Sequence, residues 1–380
     1  MPADLARSVG LPHGLLSVRH DARDADRLVS SRLLTTLKGV SLPVNVIVGG
    51  ASSSHTSRLV IPYRCSNETI ANFRIDLGGG LYVLSPEAMI CCLSSTTDQF
   101  VIAKMIFEAC GLFSLLPVTR RLGTFVGQLV HDGVLTKEAC PCQVFGHSDE
   151  RGRPLATIDP FGEELGWAPS FDRKGRITDL WKRPPLTSVE RIREAADAFE
   201  LGRRHPVRRA LAMVSDGAAS PAEVKANLLL CAKREFGGEA WGRPHLNRKI
   251  LFSAEAARLA HQNHCFADSL WTGSRGILEV QGEAFHADEE GFRVASGRTA
   301  ALESMGYSVV ELLNEQMASL ELWDAVLPTL AKKLGFELEP RTETFLRKRS
   351  LLHSALFGLP YEPKALRVSA RRPSRWGERP

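Results

Sequence analysis

Residues 264–282 read HCFADSLWTGSRGILEVQG, two runs of apolar, aromatic and β-branched residues on either side of the turn-forming TGSRG. That pattern predicts an antiparallel hairpin, with Asp268 closing its first strand and Glu279 in its second. Side chains alternate along a strand, so Ile277, Glu279 and Gln281 share one face while Leu278 and Val280 take the other. The short turn then brings the Asp268 and Glu279 carboxylates near each other. Burying two carboxylates and an amide together costs free energy unless something satisfies them. A hard divalent cation does so, because Mg²⁺ takes one or two carboxylates and completes its shell with water and phosphate oxygens. Such an ion also polarises a phosphate and lowers the pKa of bound water, which phosphodiester hydrolysis requires.

Working outward, Ser220-Pro221-Ala222-Glu223 has Ser as N-cap, Pro at the first helical position and Glu in the first turn, and so starts a helix through VKANLLLCAKREF. KILF is a strand ahead of the hairpin. Beyond it, residues 286–305 are helical in part and YSVVEL (residues 307–312) is a strand. Leu313, Met317, Leu320, Trp323, Leu327, Leu330 and Leu334 recur at three or four residues, the mark of an amphipathic helix. The order is helix, three strands, helix, strand, helix.

That order, with Asp, ten residues and then Glu-x-Gln, resembles the PD-(D/E)XK nuclease fold, in its branch related to the very-short-patch repair endonucleases. The third strand of that branch is similar to E-V-D/Q-G-x-x-x-H, and this chain has Glu279-Val280-Gln281-Gly282-Glu283-Ala284-Phe285-His286. The resemblance implies a restriction-endonuclease-like α-β-β-β-α-β core in which Asp268 and Glu279 bind Mg²⁺ or Mn²⁺. It also implies that Gln281 stands where many relatives carry Lys, that Glu223 assists the metal or water, and that His286 holds or deprotonates the attacking water. Ala295 falls where relatives often carry an acidic residue. Each residue also has a plain reading: Glu223 complements a helix dipole, His286 packs at a helix entry, and Arg298, which could contact phosphate, faces solvent on an amphipathic helix.

The remainder supplies context. From Leu42 to Ala71, VNVIVGG and RLVIPYRC read as strands, LGGGLYVLS as a third, and Ser85-Pro86-Glu87 begins a long apolar helix running to Leu116. This N-terminal half resembles domains shared with abortive-infection type antitoxins. Residues 140–185 read as an irregular insertion or linker, after which Thr187 or Ser188 caps a helix carrying REAADAFEL and a second helix holds PVRRALAMV. The division expected is an α+β domain over 1–139, a linker with helices over 140–215, the nuclease-like unit over 216–335, and a helix with a basic tail over 336–380. The fold class is α/β, α+β overall.

At 380 residues, 44% hydrophobic and 24% charged, the chain suits two or three globular domains. No apolar run is long enough for a bilayer and the first residues carry no signal-peptide core, so the expectation is a cytoplasmic protein with no membrane partner. Most of the eight cysteines lie in apolar stretches and read as core; Cys140-Pro-Cys142 lacks a second pair at zinc spacing. The net charge is +5, yet residues 216–335 hold 12 Lys+Arg against 16 Asp+Glu. The basic excess lies in residues 171–210 and in the Arg-rich end, each of which reads equally as a track for a phosphate backbone or as solvated surface and a disordered tail. The reading is an Mg²⁺-dependent endonuclease-like protein acting on DNA phosphodiesters, with a non-catalytic DNA-binding or antitoxin-like regulator as the alternative.

Overall fold

The computed structural model describes residues 44–48, 60–64, 67–78, 81–93, 96–115, 168–171, 177–281 and 289–358. Strands β1 (Val44–Val48) and β2 (Val60–Arg64) pair in parallel, which a tight hairpin between them could not produce. Helix α1 (Asn67–Ala71) follows, and then β3 (Arg74–Gly78) and β4 (Leu81–Leu84) form an antiparallel ribbon. The helix start at Ser85 is present: its Oγ accepts from the Ala88 N–H to open α2 (Pro86–Cys91). The long helix expected to run to Leu116 is instead broken. Asp98 caps a new helix, α3 (Gln99–Ala109), by accepting from the Phe100 N–H at 2.7 Å, and residues beyond it become β5 (Phe113–Leu115). The apolar stretches on either side read as one run, and the cap lies in the polar residues 94–98 between them.

Part of the stretch that reads as irregular is regular. β6 (Ala168–Phe171) and β7 (Ile177–Lys182) join β5 in a three-stranded sheet with β7 in the middle. β5 lies more than fifty residues earlier in the chain, a pairing that local pattern does not carry. Ser188, not Thr187, caps α4 (Val189–Ala198), while the Thr187 hydroxyl donates to the buried Glu87. The helix α5 (Pro206–Leu211) comes next, within PVRRALAMV as expected.

In the C-terminal half α6 (Pro221–Cys231) is followed by β8 (His245–Leu251), a short α7 (Ala254–Ala260), β9 (His264–Trp271) and β10 (Gly276–Gln281). Then come α8 (Glu289–Ser304), β11 (Ser308–Leu313), α9 (Asn314–Ala318), α10 (Leu320–Leu334) and α11 (Glu343–His353). The four strands lie in the order β11-β10-β9-β8; β9 is antiparallel to both β8 and β10, and β11 pairs with β10 in parallel after the crossover through α8. Two details differ from the sequence reading. Helix α7, opened by Ser253 accepting from the Ala256 N–H, intervenes between β8 and β9. The Leu313–Leu334 repeat is two helices, because Ser319 interrupts it and caps α10 by accepting from the Leu322 N–H.

The sheet packs apolar side chains on both faces. Leu278, Val310 and Leu312 join the large core with Trp323, Leu327 and Leu330 of α10, while Ile277 and Val309 meet Ala267 and Leu302 on the other side. That large core is continuous from Ile90 of α2 through α3, α4 and α6 to Leu352 of α11. Arg349 of α11 pairs with Asp324 of α10, and the Lys104 ammonium of α3 donates to the Ala355 carbonyl at 2.9 Å, so the described C-terminal end ties the two halves together. Among the described residues, no helix is long and apolar enough to cross a membrane. Four of the five described cysteines are buried, as apolar surroundings predicted; Cys92, at the end of α2, is exposed.

Candidate functional site

The site lies where β9 and β10 part. Their ladder runs Gly276↔Trp271, Ile277↔Leu270, Leu278↔Ser269; one further step in that register sets Glu279 opposite Asp268. At this point the Asp268 side chain takes over from the backbone, its Oδ2 accepting from the Val280 N–H at 2.7 Å. A strand N–H left without a partner costs free energy when buried, so the carboxylate that caps it is also fixed in place by it. The hairpin therefore does bring Asp268 and Glu279 together, though β9 continues past Asp268 to Trp271.

Glu223 joins them from α6. Its Oε2 accepts from the Ala219 N–H at 2.8 Å and from Asn247 Nδ2 at 2.7 Å, while its own N–H donates to Ser220 Oγ. The helix-capping role and the site role thus coexist. Asn247 was not visible as a site residue. It lies in β8 across from Asp268, between the pairs Leu246↔Ser269 and Arg248↔Ala267, and adopts a left-handed φ of 47°. Asn tolerates that conformation better than most residues, and the turn it makes aims its amide at Glu223 and at the Gly217 carbonyl. The available signal was an Asn inside a strand, where Asn is disfavoured.

Burial dominates the electrostatics. Glu279 is 4% exposed and Glu223 5%. Desolvation and then the charge of Asp268 push Glu279 up to about 8 and Glu223 up to about 7. Desolvation likewise raises Asp268, against the Val280 hydrogen bond and the Arg298 charge. Negative charges crowd further because Glu311 lies beside Glu279 in the β10–β11 register. One Glu279 oxygen, Oε1, is buried and has no hydrogen-bond partner. The other, Oε2, accepts from Arg298 Nη2 at 2.9 Å. Arg298 is therefore turned into the site, against the plain reading that set it toward solvent.

Gly297, the residue before Arg298, lets α8 lie close against α7. A Cβ at Gly297 would lie 2.8 Å from the Leu259 carbonyl oxygen of α7, which is backbone and has little freedom to retreat. Gly297→Val should thus force the helices apart and cost roughly 1–3 kcal/mol in a urea melt; an unchanged midpoint would show that the two helices adapt freely.

Of the residues expected in the site, Glu223, Asp268 and Glu279 come together, and Gln281 lies two residues beyond Glu279 at the end of β10, half-buried. His286 lies outside the described residues, as do Cys140 and Cys142. Ala295 lies on α8, one turn before Arg298. Among the described residues no three His, Cys, Asp or Glu side chains are grouped to hold a metal ion by themselves. The donor set is nevertheless all oxygen, with one carboxylate atom unsatisfied, which suits a hard cation that takes two protein ligands and fills its shell otherwise. The basic segment 171–210 is partly committed internally: Arg191 pairs with Glu87, Arg193 with Glu190 and Arg208 with Asp197, and Arg183 is buried. Compared with known protein families, with curated proteins and with solved structures, the chain matches none.

Proposed function

We propose that this protein is a metal-dependent endonuclease of the PD-(D/E)XK type, acting on DNA phosphodiesters with Mg²⁺ or Mn²⁺. One observation carries the reading: Glu279 of β10 is a buried carboxyl on which the charges of Asp268 in β9 and Glu223 in α6 both bear, and one of its oxygens has no hydrogen-bond partner. The element order around them, helix, three antiparallel strands, helix and parallel strand, supports it. Asp268 and Glu279 would hold the cation, which supplies a polarised phosphate and an acidified water. The Val280 N–H fixes the Asp268 carboxylate and Asn247 fixes that of Glu223. Gln281 orients water or phosphate through its amide, and His286 is the candidate for accepting the water proton.

The test is incubation of the full chain with plasmid DNA. Nicking or linearisation is expected in Mg²⁺ or Mn²⁺, none in EDTA, and none from an Asp268→Ala, Glu279→Ala protein. Equal cleavage by parent and variant would sink the assignment. The Arg298–Glu279 pair favours a second reading, because it already places a cation on the site. In that reading the protein is a non-catalytic DNA-binding or antitoxin-like regulator. A gel shift that persists in EDTA, without cleavage in either metal, would select it.

A further inference from the structure

Arg298 differs from the other groups that touch the carboxylates. The donors to Asp268 and Glu223 are two backbone N–H groups and a side-chain amide held by a second hydrogen bond, all parts of the framework. Arg298 is a full charge on a long side chain that is 30% exposed, set against a Glu279 side chain that is 6% exposed. Its charge favours the ionised forms of both Asp268 and Glu279. It satisfies only Oε2 and leaves Oε1 bare. A guanidinium spreads one charge over a plane, whereas a divalent cation concentrates two charges at a point, so the two compete for the same oxygens and only the guanidinium has open solvent to withdraw into.

We propose that Arg298 is the resident counter-ion of this carboxylate site: it holds Glu279 in the metal-free protein and must release Oε2 when a divalent cation binds. Metal affinity is then set partly by the strength of an internal ion pair, and Arg298 acts as a positioning residue that keeps Glu279 aimed until exchange. This rests on the metal reading of Asp268 and Glu279.

Calorimetric titration of the full chain with Mn²⁺ alone, at pH 7.5 and low salt, tests it. Removing the competitor with Arg298→Gln should tighten Mn²⁺ binding by about five- to thirtyfold in a protein of unchanged circular dichroism, the scale of a partly buried ion pair. Arg298→Ala gives the same comparison if the Gln variant does not fold. Arg298→Lys, which keeps a charge there, should stay closer to the parent than either. Equal or weaker Mn²⁺ binding in the charge-removing variants, with the parent binding normally, overturns the counter-ion role and leaves the metal reading intact. Absence of Mn²⁺ binding in parent and variants alike overturns both.

Discussion

Glu279→Gln should make the metal-free protein more stable at pH 8 and, on the proposed nuclease reading, reduce Mg²⁺-dependent cleavage by about a thousandfold or more. Gln keeps the shape of Glu and removes its charge. The ordinary value for this carboxyl is 4.5 and in the folded protein it is pushed up to about 8, first by desolvation and then by Asp268. Folding therefore favours the protonated form. The stability associated with that proton is fully present below pH 4.5 and is lost as pH rises through about 8, so at pH 8 the parent carries most of the cost of a buried carboxylate. The neutral amide avoids that cost even though it also loses the charge of Arg298. The expected gain is on the order of 2–4 kcal/mol at pH 8, a rise in Tm of roughly 4–8 °C, shrinking toward zero near pH 4.5. Thermal melts of both proteins across that pH range provide the check. A variant that melts lower than the parent at pH 8 would mean that the Arg298 pair outweighs burial. Loss of activity with gain of stability is the pattern expected of a strained functional site; loss of both is the pattern of an ordinary structural ion pair.

Arg183→Met should cost about 3–5 kcal/mol, the largest stability loss predicted for any residue away from the site. Arg183 is 2% exposed. Its guanidinium donates to Ser114 Oγ on β5, to the Gly111 carbonyl at 3.1 Å, to the Pro184 carbonyl at 2.7 Å and to the Glu108 carbonyl. Two of these acceptors lie at the C-terminal end of α3, where a helix leaves its carbonyls unpaired and a cation is favourable. Burial lowers its pKa only to about 10, so it remains charged at neutral pH. Removing it leaves a hydroxyl and several carbonyls buried without donors, and strips the neighbouring Glu108 carboxyl of a charge that favours its ionised form. With native stabilities of about 5–15 kcal/mol, such a loss takes about a fifth of the margin or more. Arg183→Lys retains a charge and cannot span the same acceptors, so it should recover only part of it. A urea midpoint within 1 kcal/mol of the parent for the Met variant would show that water reaches these acceptors.

The relation between the two residues and the sequence is instructive. Glu279 was legible because its signal is local: alternation in ILEVQG, a turn before it and an Asp on the facing strand. Arg183 was one of several basic residues in a segment that read as solvated surface or DNA contact. Its role depends on β5 pairing with β7 across a long stretch of chain, which places Ser114 opposite Trp181. Arg298 was misread for a related reason. Its contact with Glu279 is made between α8 and β10, a pairing that spacing along the helix does not carry.

By itself the sequence determined the hairpin, the capped helix starting at Ser220, the succession of helices and strands from Pro221 to Leu334 apart from α7 and the break at Ser319, and the neighbourhood of Asp268 and Glu279. Each follows from interactions between residues a few positions apart: side-chain alternation, helical spacing, caps and turn chemistry. Tertiary structure alone decided that Asn247 turns out of its strand to hold Glu223, that Arg298 occupies Glu279 Oε2, and that Glu279 Oε1 is left bare. It also decided how far burial raises these carboxylates, because desolvation depends on everything packed around a group and on nothing within its own stretch of chain.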